Sequence, residues 1–380
     1  MKKPLKILAQ YADYAHHPQR KAKNAYGGVG YYRIVKPAEA MRRAGHDVRI
    51  VGQEITTYGH DLASQWDEIF TEFDVFWTSY FSSAEAGAAI FEAARRHGKK
   101  VIIDIDDNYL DIHESNLLYD RFKAKKKDRA ILSTILSFAD VITVSTEPLR
   151  ERLDGFMREA FGIEKTFALV PNCNDTTDWP ARKAPYRESG RFVVGYTGSH
   201  SHQDDLRMVL PAIKELMATH KNLWFEMLGI ISRDEVPKFL RGFTDDMLMR
   251  MAIVGATPTF AEYPSWLAER PWDVGIAPLV DTPFTRSKSH IKWMEYAMCG
   301  IPTVASKVYP YSMPADGMET IVDGETGFLV KPDEWFGVID RLARNPELGP
   351  RIAANAKAQI ARDWQYADSS IVANIERALS

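Results

Sequence analysis

The chain is 380 residues long, 45% apolar and 26% charged, with a formal charge of -3. This is the composition of an ordinary globular protein too long for one hydrophobic core, so two domains are expected, and the charge balance excludes a globally basic nucleic-acid binder. Two cysteines, Cys173 and Cys299, exclude a disulfide framework; with no apolar run of ~18 residues and a start, MKKPLKILAQYADYAHH, that turns polar too soon for a signal peptide, a cytoplasmic protein is expected.

Residues 5–9 read as a short buried strand leading into Gly27-Gly28-Val29-Gly30 and a helical stretch that ends at Gly45-His46. Further strands are expected at 48–51, 75–78, 101–105, 141–144 and 167–170, separated by helical segments such as 84–97. Strands alternating with helices predict a parallel sheet covered on both faces. The loop PNCNDTTDWPARKAPYRESG, rich in proline, asparagine and charge, then reads as a linker. Beyond it the pattern restarts, with strands expected at 192–196, 223–228, 274–278 and 303–305, a helix at 204–220, and helices from 346 to 379.

Two basic runs lie in the first half. Arg20, Lys21, Lys23, Arg33 and Lys36 have no acid among them, and residues 120–129 hold six basic residues against two acids. Such runs are usually solvated faces, with an anionic partner docking there as the alternative.

The segment 272–330 carries the chemistry. It reads WDVGIAPLVDTPFTRSKSHIKWMEYAMCGIPTVAS and, a little later, IVDGETGFLV. A strand runs through a polar loop into a helix stopped by Gly300 and Pro302. On a helix, Lys288, Lys292 and Glu295 share one stripe, and Ile291, Met294 and Met298 form an apolar stripe beside it. Two cations at a helix N-terminus with a carboxylate one turn deeper suit a nucleoside diphosphate: free N-H groups and the dipole favour phosphate, and the glutamate accepts from ribose hydroxyls. Ordinary i,i+4 pairing on a solvated face is the plainer reading.

These residues resemble the donor-binding segment of the GT-B glycosyltransferases, in particular family 4. Glu295, Gly300 and Pro302 match the second half of the family's two-glutamate motif, and Asp323-Gly324 with Gly327-Phe328-Leu329-Val330 is similar to the element that follows it. In the first half GGVGYYRIVKPAEAMRRAGHDVRIVG, VITVST and VPNCND resemble the family's glycine loop, first helix and closing elements, so the likeness spans nearly the whole chain. It implies an α/β GT-B fold, two Rossmann-like doubly wound domains facing across a cleft: an acceptor domain at 1–175, a linker at 176–190, a donor domain at 191–360, and a helix at 361–380 that returns to the first domain.

Catalysis is expected of Asp106, Asp107 and Lys292, and donor binding of Gly28, Gly30, Gly198, Ser199, His200, Gly229, Lys288, Lys292 and Glu295, the roles of the glycine loop and of Asp106 and Asp107 being what the resemblance implies. Asp106 and Asp107 occupy a strand-to-loop position where relatives carry a pair facing the sugar. The triplet Asp104-Ile105-Asp106 also has the form of the D-x-D metal motif of GT-A enzymes, but one nucleotide-binding domain belongs to that class, so no metal and no cofactor beyond the nucleotide-diphosphate sugar is expected. Three positions depart from the family: Ser287 replaces the first glutamate, and Ser199 and Asp204 stand near its usual arginine and lysine. The phosphate charge therefore falls to Lys288 and Lys292, with Arg286, His200 or His202 as helpers.

The expected activity is retaining, metal-independent transfer from a nucleotide sugar to a polysaccharide or lipid-linked glycan. The basic runs keep open DNA carrying a modified base, as in virus-type enzymes, and peripheral contact with membrane lipid. A sugar-nucleotide epimerase and a non-catalytic nucleotide-sugar binding protein are the readings of another class. Oligomeric state, nucleobase and sugar leave no mark in the sequence.

Overall fold

The computed structural model describes residues 3–11, 26–52, 62–79, 84–114, 119–123, 126–198, 202–229, 236–254, 259–314, 317–366 and 369–379. Within them, β1 (Lys6–Gln10), β2 (Asp47–Val51), β3 (Val75–Ser79), β4 (Lys100–Ile105), β5 (Val141–Val144) and β6 (Thr166–Leu169) form one sheet. A second sheet holds β7 (Phe192–Thr197), β8 (Leu223–Leu228), β9 (Met251–Val254), β10 (Val274–Ala277), β11 (Thr303–Ser306) and β12 (Phe328–Val330). Every pairing in both sheets is parallel. β3, β5 and β7 are buried along their whole length, as strands covered by helices on both faces must be.

Strand order is β2-β1-β3-β4-β5-β6 in the first sheet and β12-β11-β10-β7-β8-β9 in the second. The direction of winding therefore reverses beside β1 and beside β7, and the crevice at the carboxyl ends of such strands is where open α/β sheets bind ligands. Each expected strand is present to within a residue at either end. Two strands were not expected. β9 is an edge strand with Ala252 and Ile253 exposed, so it lacks a buried apolar run, and β12 has only three residues.

Close packing explains two glycines. A Cβ at Gly195 of β7 would sit 1.8 Å from the Trp272 ring, and one at Gly275 of β10 would sit 2.5 Å from Tyr296, so a larger residue at either would displace the ring packed on the sheet there.

The halves are joined by more than the linker. Asn174 N donates to Trp364 O (2.8 Å) and Tyr366 N to Asn174 O (3.2 Å), so the chain segment leaving the first half is bonded to the segment returning to it. The last helix, Ser369–Leu379, then packs on β6 and on the helix Lys36–Arg43, and Asn374 Nδ2 donates to Leu169 O (3.0 Å). On the far side of the cleft Phe284, from the second half, is buried as a member of the first half's hydrophobic cluster. Asn108 Nδ2 donates to Ser287 Oγ (3.1 Å) and Thr146 Oγ1 to Ser287 O (2.8 Å), fixing the same strap. No helix among the described residues is long and apolar enough to cross a membrane.

Candidate active site

A cavity of about 480 Å³ lies between the halves, at the carboxyl ends of β4 and β7 and beneath the glycine loop that precedes the first helix. Its volume suits a small-molecule ligand.

The first-half wall begins at Gly27, Gly28 and Val29, where the chain turns into a widened π-helical stretch, Gly30–Val35, before the α-helix Lys36–Arg43. Every residue of Gly30–Val35 is buried. Tyr32 and Arg33 both reach the cavity. The Arg33 guanidinium makes two bonds to Asp104 (3.1 and 2.8 Å) and donates to Val170 O (2.5 Å) and Asn172 Oδ1 (2.8 Å), while Thr143 Oγ1 donates to Asp104 (2.6 Å). A buried pair this well bonded positions the wall, and removing either member would strand the other charge.

This geometry corrects the reading of the first basic run as a solvated face. Arg33 is enclosed, and Lys36 is buried against Asp178 (2.6 Å), Glu39 (3.1 Å) and Asp175 (3.3 Å). Arg20, Lys21 and Lys23 lie outside the described residues. It also divides the D-x-D triplet: Asp104 belongs to Arg33, whereas Asp106 and its neighbour Asp107 line the cavity. Burial, then Asp107 and Asp104, push the Asp106 carboxyl up to about 7. Among the described residues no group of three or more His, Cys, Asp or Glu is arranged to hold a metal ion.

The second-half wall is built by two helices with a tight turn between them. Thr282 caps the short helix Pro283–Arg286 through a reciprocal bond with Thr285, and the helix Ile291–Met298 restarts after His290 and ends at Gly300 with φ +68°. Lys288 therefore lies in the turn and not on the helical stripe expected for it, because the short helix that the Thr282 capping box starts ends at Arg286 and the next begins only at Ile291. It still faces the cavity with Lys292 and Glu295. Lys288 Nζ donates to Asp107 Oδ1 of the opposite wall at 2.5 Å. Burial, and then the neighbouring Lys288 charge, hold the Lys292 ammonium below its ordinary range, with Glu295 the largest opposing charge. Burial also pushes the Glu295 carboxyl up to about 7, although it accepts from Tyr32 Oη of the first half (3.1 Å) and Tyr263 Oη of the second (3.0 Å).

His202 lines the cavity just before the helix Gln203–Thr219. Its Nδ1 is 2.8 Å from Asp205 Oδ2, and Asp205 Oδ1 accepts from Val280 N (2.7 Å). Arg286, by contrast, makes two bonds to Asp281 on the exposed surface (2.6 and 2.9 Å) and does not line the cavity.

Of the residues expected from the sequence, Gly28, Asp106, Asp107, Gly198, Lys288, Lys292 and Glu295 come together around the cavity. Gly30 does not line it, being enclosed in the first turn of the π-helical stretch, and neither does Gly229, whose N-H is bonded to Val254 O (3.2 Å). Ser199 and His200 lie outside the described residues, as does the loop 255–258. Sequence reasoning missed Tyr32, Asn172, Phe260 and Tyr263. The VPNCND element holds Asn172 and could have flagged it; nothing local marks Phe260.

No protein-family model matches the chain, and no curated protein matches it. Solved structures do. A glycosyltransferase from Rickettsia africae superposes with a TM-score of 0.64 at 14% identity, covering 98% of both chains. Sucrose-phosphate synthase from Thermosynechococcus elongatus gives a TM-score of 0.60 at 13% identity, over 98% of this chain and 99% of that one. HepE from Anabaena, solved with UDP and glucose, gives 0.59 at 16% identity, over 99% of each. The two facing sheets are thus a GT-B fold.

Proposed function

We propose that the chain is a glycosyltransferase that moves a sugar from a nucleotide-diphosphate sugar to an acceptor, with retention of configuration, without a metal ion, and in the cytoplasm. One observation carries this reading. A cavity at the winding reversals of both sheets brings two lysines beside a helix N-terminus, from one half, up against two carboxylates from the other. The fold it shares with HepE, which was solved with UDP and glucose, supports it.

In this reading Lys288, Lys292 and the N-terminus of Ile291–Met298 hold the diphosphate and stabilise the charge that grows on it as the sugar departs. Glu295, held from both sides by tyrosine hydroxyls, keeps lone pairs for ribose hydroxyls. Asp106 faces the acceptor, where a carboxyl raised to about 7 can both hold and release a proton at neutral pH. Asp107 anchors Lys288 until the diphosphate arrives.

The acceptor in this proposal is a polysaccharide or lipid-linked glycan, and the placing within family 4 rests on the motif resemblance. The run at 120–129 offers DNA or anionic lipid a weaker footing than its composition suggests: Arg121 pairs with Asp128 (2.6 Å), Lys123 with Asp120 (2.5 Å), and Arg129 lies over Phe156 and donates to Leu110 O. A thermal-shift panel of nucleoside diphosphates and their sugars tests the reading. A ligand at about 100 times its dissociation constant stabilises by ~2.7 kcal/mol, and a flat response to the whole panel would remove the donor site.

A further inference from the structure

The cavity is poorly charged for the ligand proposed for it. Arg33, Lys288 and Lys292 line it, but so do Asp106, Asp107 and Glu295, and directly behind them stand Asp104, bonded to Arg33, and Asp205, bonded to His202. With Asp106 and Glu295 each pushed up to about 7 and Asp205 to about 6, these groups carry no surplus positive charge at neutral pH before a diphosphate enters. Ser199 and Asp204 stand near the positions where the family resemblance implies an arginine and a lysine. Something in the cavity must supply positive charge when the ligand binds.

We infer that His202 is a further ligand of the donor diphosphate, recruited by taking up a proton as the nucleotide binds; this rests on the donor-site reading above. The geometry fits the role. Nδ1 faces Asp205 at 2.8 Å, and Asp205 is itself fixed by Val280 N, so the Nδ1 proton points to the carboxylate and Nε2 is the ring atom left for the cavity. In the free protein the ring is neutral, held well below its ordinary range by burial and then by the Lys292 and Lys288 charges. A diphosphate placed between the lysines and His202 cancels that repulsion and reverses its sign. Nε2 then gains a proton from solvent and donates it to a phosphate oxygen, leaving an imidazolium between that oxygen and Asp205. No other bond forms or breaks.

Among the described residues the titratable groups near the ring are these. Asp204, which His113 of the first half approaches at 3.9 Å, and Asp205, whose carboxyl burial pushes up to about 6, share its helix; Lys288, Lys292 and Glu295 line the same cavity from the second half, and Asp106, Asp107 and Arg33 line it from the first. Tyr196 and Tyr311, near Asp205, have hydroxyls raised by burial and stay neutral.

The sign follows from linkage. A group whose pKa rises on binding strengthens binding below the raised value and ceases to do so as pH rises through it. Affinity for UDP is therefore expected to fall with rising pH near neutrality, by up to about tenfold per pH unit. Calorimetric titration of the full chain with UDP in buffers of different ionisation enthalpy reads the protons directly. Wild type is expected to take up about one more proton per UDP than His202→Gln, a difference to which the titration of UDP itself contributes nothing. Asp205→Asn, which weakens the support of the imidazolium, is expected to move the pH dependence to lower pH. Asp106→Asn and Glu295→Gln are expected to keep the excess uptake, because their carboxyls are not its source.

Equal uptake by wild type and His202→Gln, an Asp205→Asn profile identical to wild type, or loss of the uptake in Asp106→Asn alone each overturn the inference while leaving the donor site standing. Failure of UDP, GDP, ADP and inorganic pyrophosphate to bind at any pH overturns both.

Discussion

Lys288 and Asp107 stand on opposite walls of the cleft, and the Lys288 ammonium donates to the Asp107 carboxylate at 2.5 Å. The lysine proposed for the diphosphate is thus engaged before any ligand arrives, and binding must exchange one anion for another. Asp107→Asn is expected to tighten nucleoside diphosphate binding by roughly two- to fivefold, the effect of losing one partly exposed ion pair, while slowing transfer. Titration alongside a transfer assay reads both; weaker nucleotide binding in the variant contradicts the exchange.

Lys292 makes no ion pair within 4.0 Å among the described residues; Glu295 is the largest charge acting on it, and its ammonium lies 5.9 Å from the centre of the Tyr196 ring. Lys292→Ala should cost about 1.5 to 3 kcal/mol, roughly 10- to 150-fold in kcat/KM. A folded variant with near-normal kinetics removes this lysine from the donor site.

The two raised carboxyls are expected to part company. Glu295→Gln should weaken binding of the nucleoside diphosphate itself, whereas Asp106→Asn should spare it and impair transfer; equal losses of nucleotide affinity argue against placing Asp106 on the acceptor side. Both groups also bear on stability. Each is held protonated in the folded chain up to about 7, where the unfolded chain has already ionised, so their contribution to stability falls as pH rises from the ordinary carboxylate range towards 7. Asp106→Asn should flatten that fall, read as melting midpoints between about pH 4 and pH 7.

Arg33 is nearly sealed from solvent, with Asp104 as its buried counter-ion. Arg33→Met should destabilise the chain by about 3 to 5 kcal/mol by stranding that carboxylate, and Arg33→Met with Asp104→Leu should recover part of the loss. Denaturant unfolding measures both, and additive losses would mean that the pair is not coupled.

Because the diphosphate charge is assigned to side chains and a helix terminus, transfer should survive exhaustive chelation. Loss of activity with chelator and its return with Mg²⁺ or Mn²⁺ would falsify the assignment and bring Asp106 and Asp107 forward as metal ligands.

The fold was legible because both sheets are parallel and buried, and such strands read as short apolar runs between helices. Glu295, Gly300 and the Asp323-to-Val330 element were legible for a similar reason: a helix end needs its glycine and a tight turn needs its small residues, and these requirements stay local. What escaped depends on partners far along the chain. Arg33 looked like part of a solvated basic run because its carboxylate is 71 residues away, and nothing near Tyr32 announces Glu295, 263 residues on. Lys288 falls between two helices because the one that the Thr282 capping box starts ends at Arg286 and the next begins at Ile291, a break that the spacing of Lys288, Lys292 and Glu295 alone does not show. β9 was invisible because an exposed edge imposes no apolar pattern.

The backbone bonds between Asn174 and the Trp364-to-Tyr366 segment have a consequence for how the molecule can move and be rebuilt. The chain passes between its halves twice, and the two passages are stitched to each other, so both strands of the connection share a single pivot. Any opening of the cleft would have to turn about that point and draw Phe284 out of the first half's hydrophobic cluster. A chimera that grafts a new donor half must be cut at both passages, and must leave the terminal helix Ser369–Leu379 with the acceptor half on which it rests.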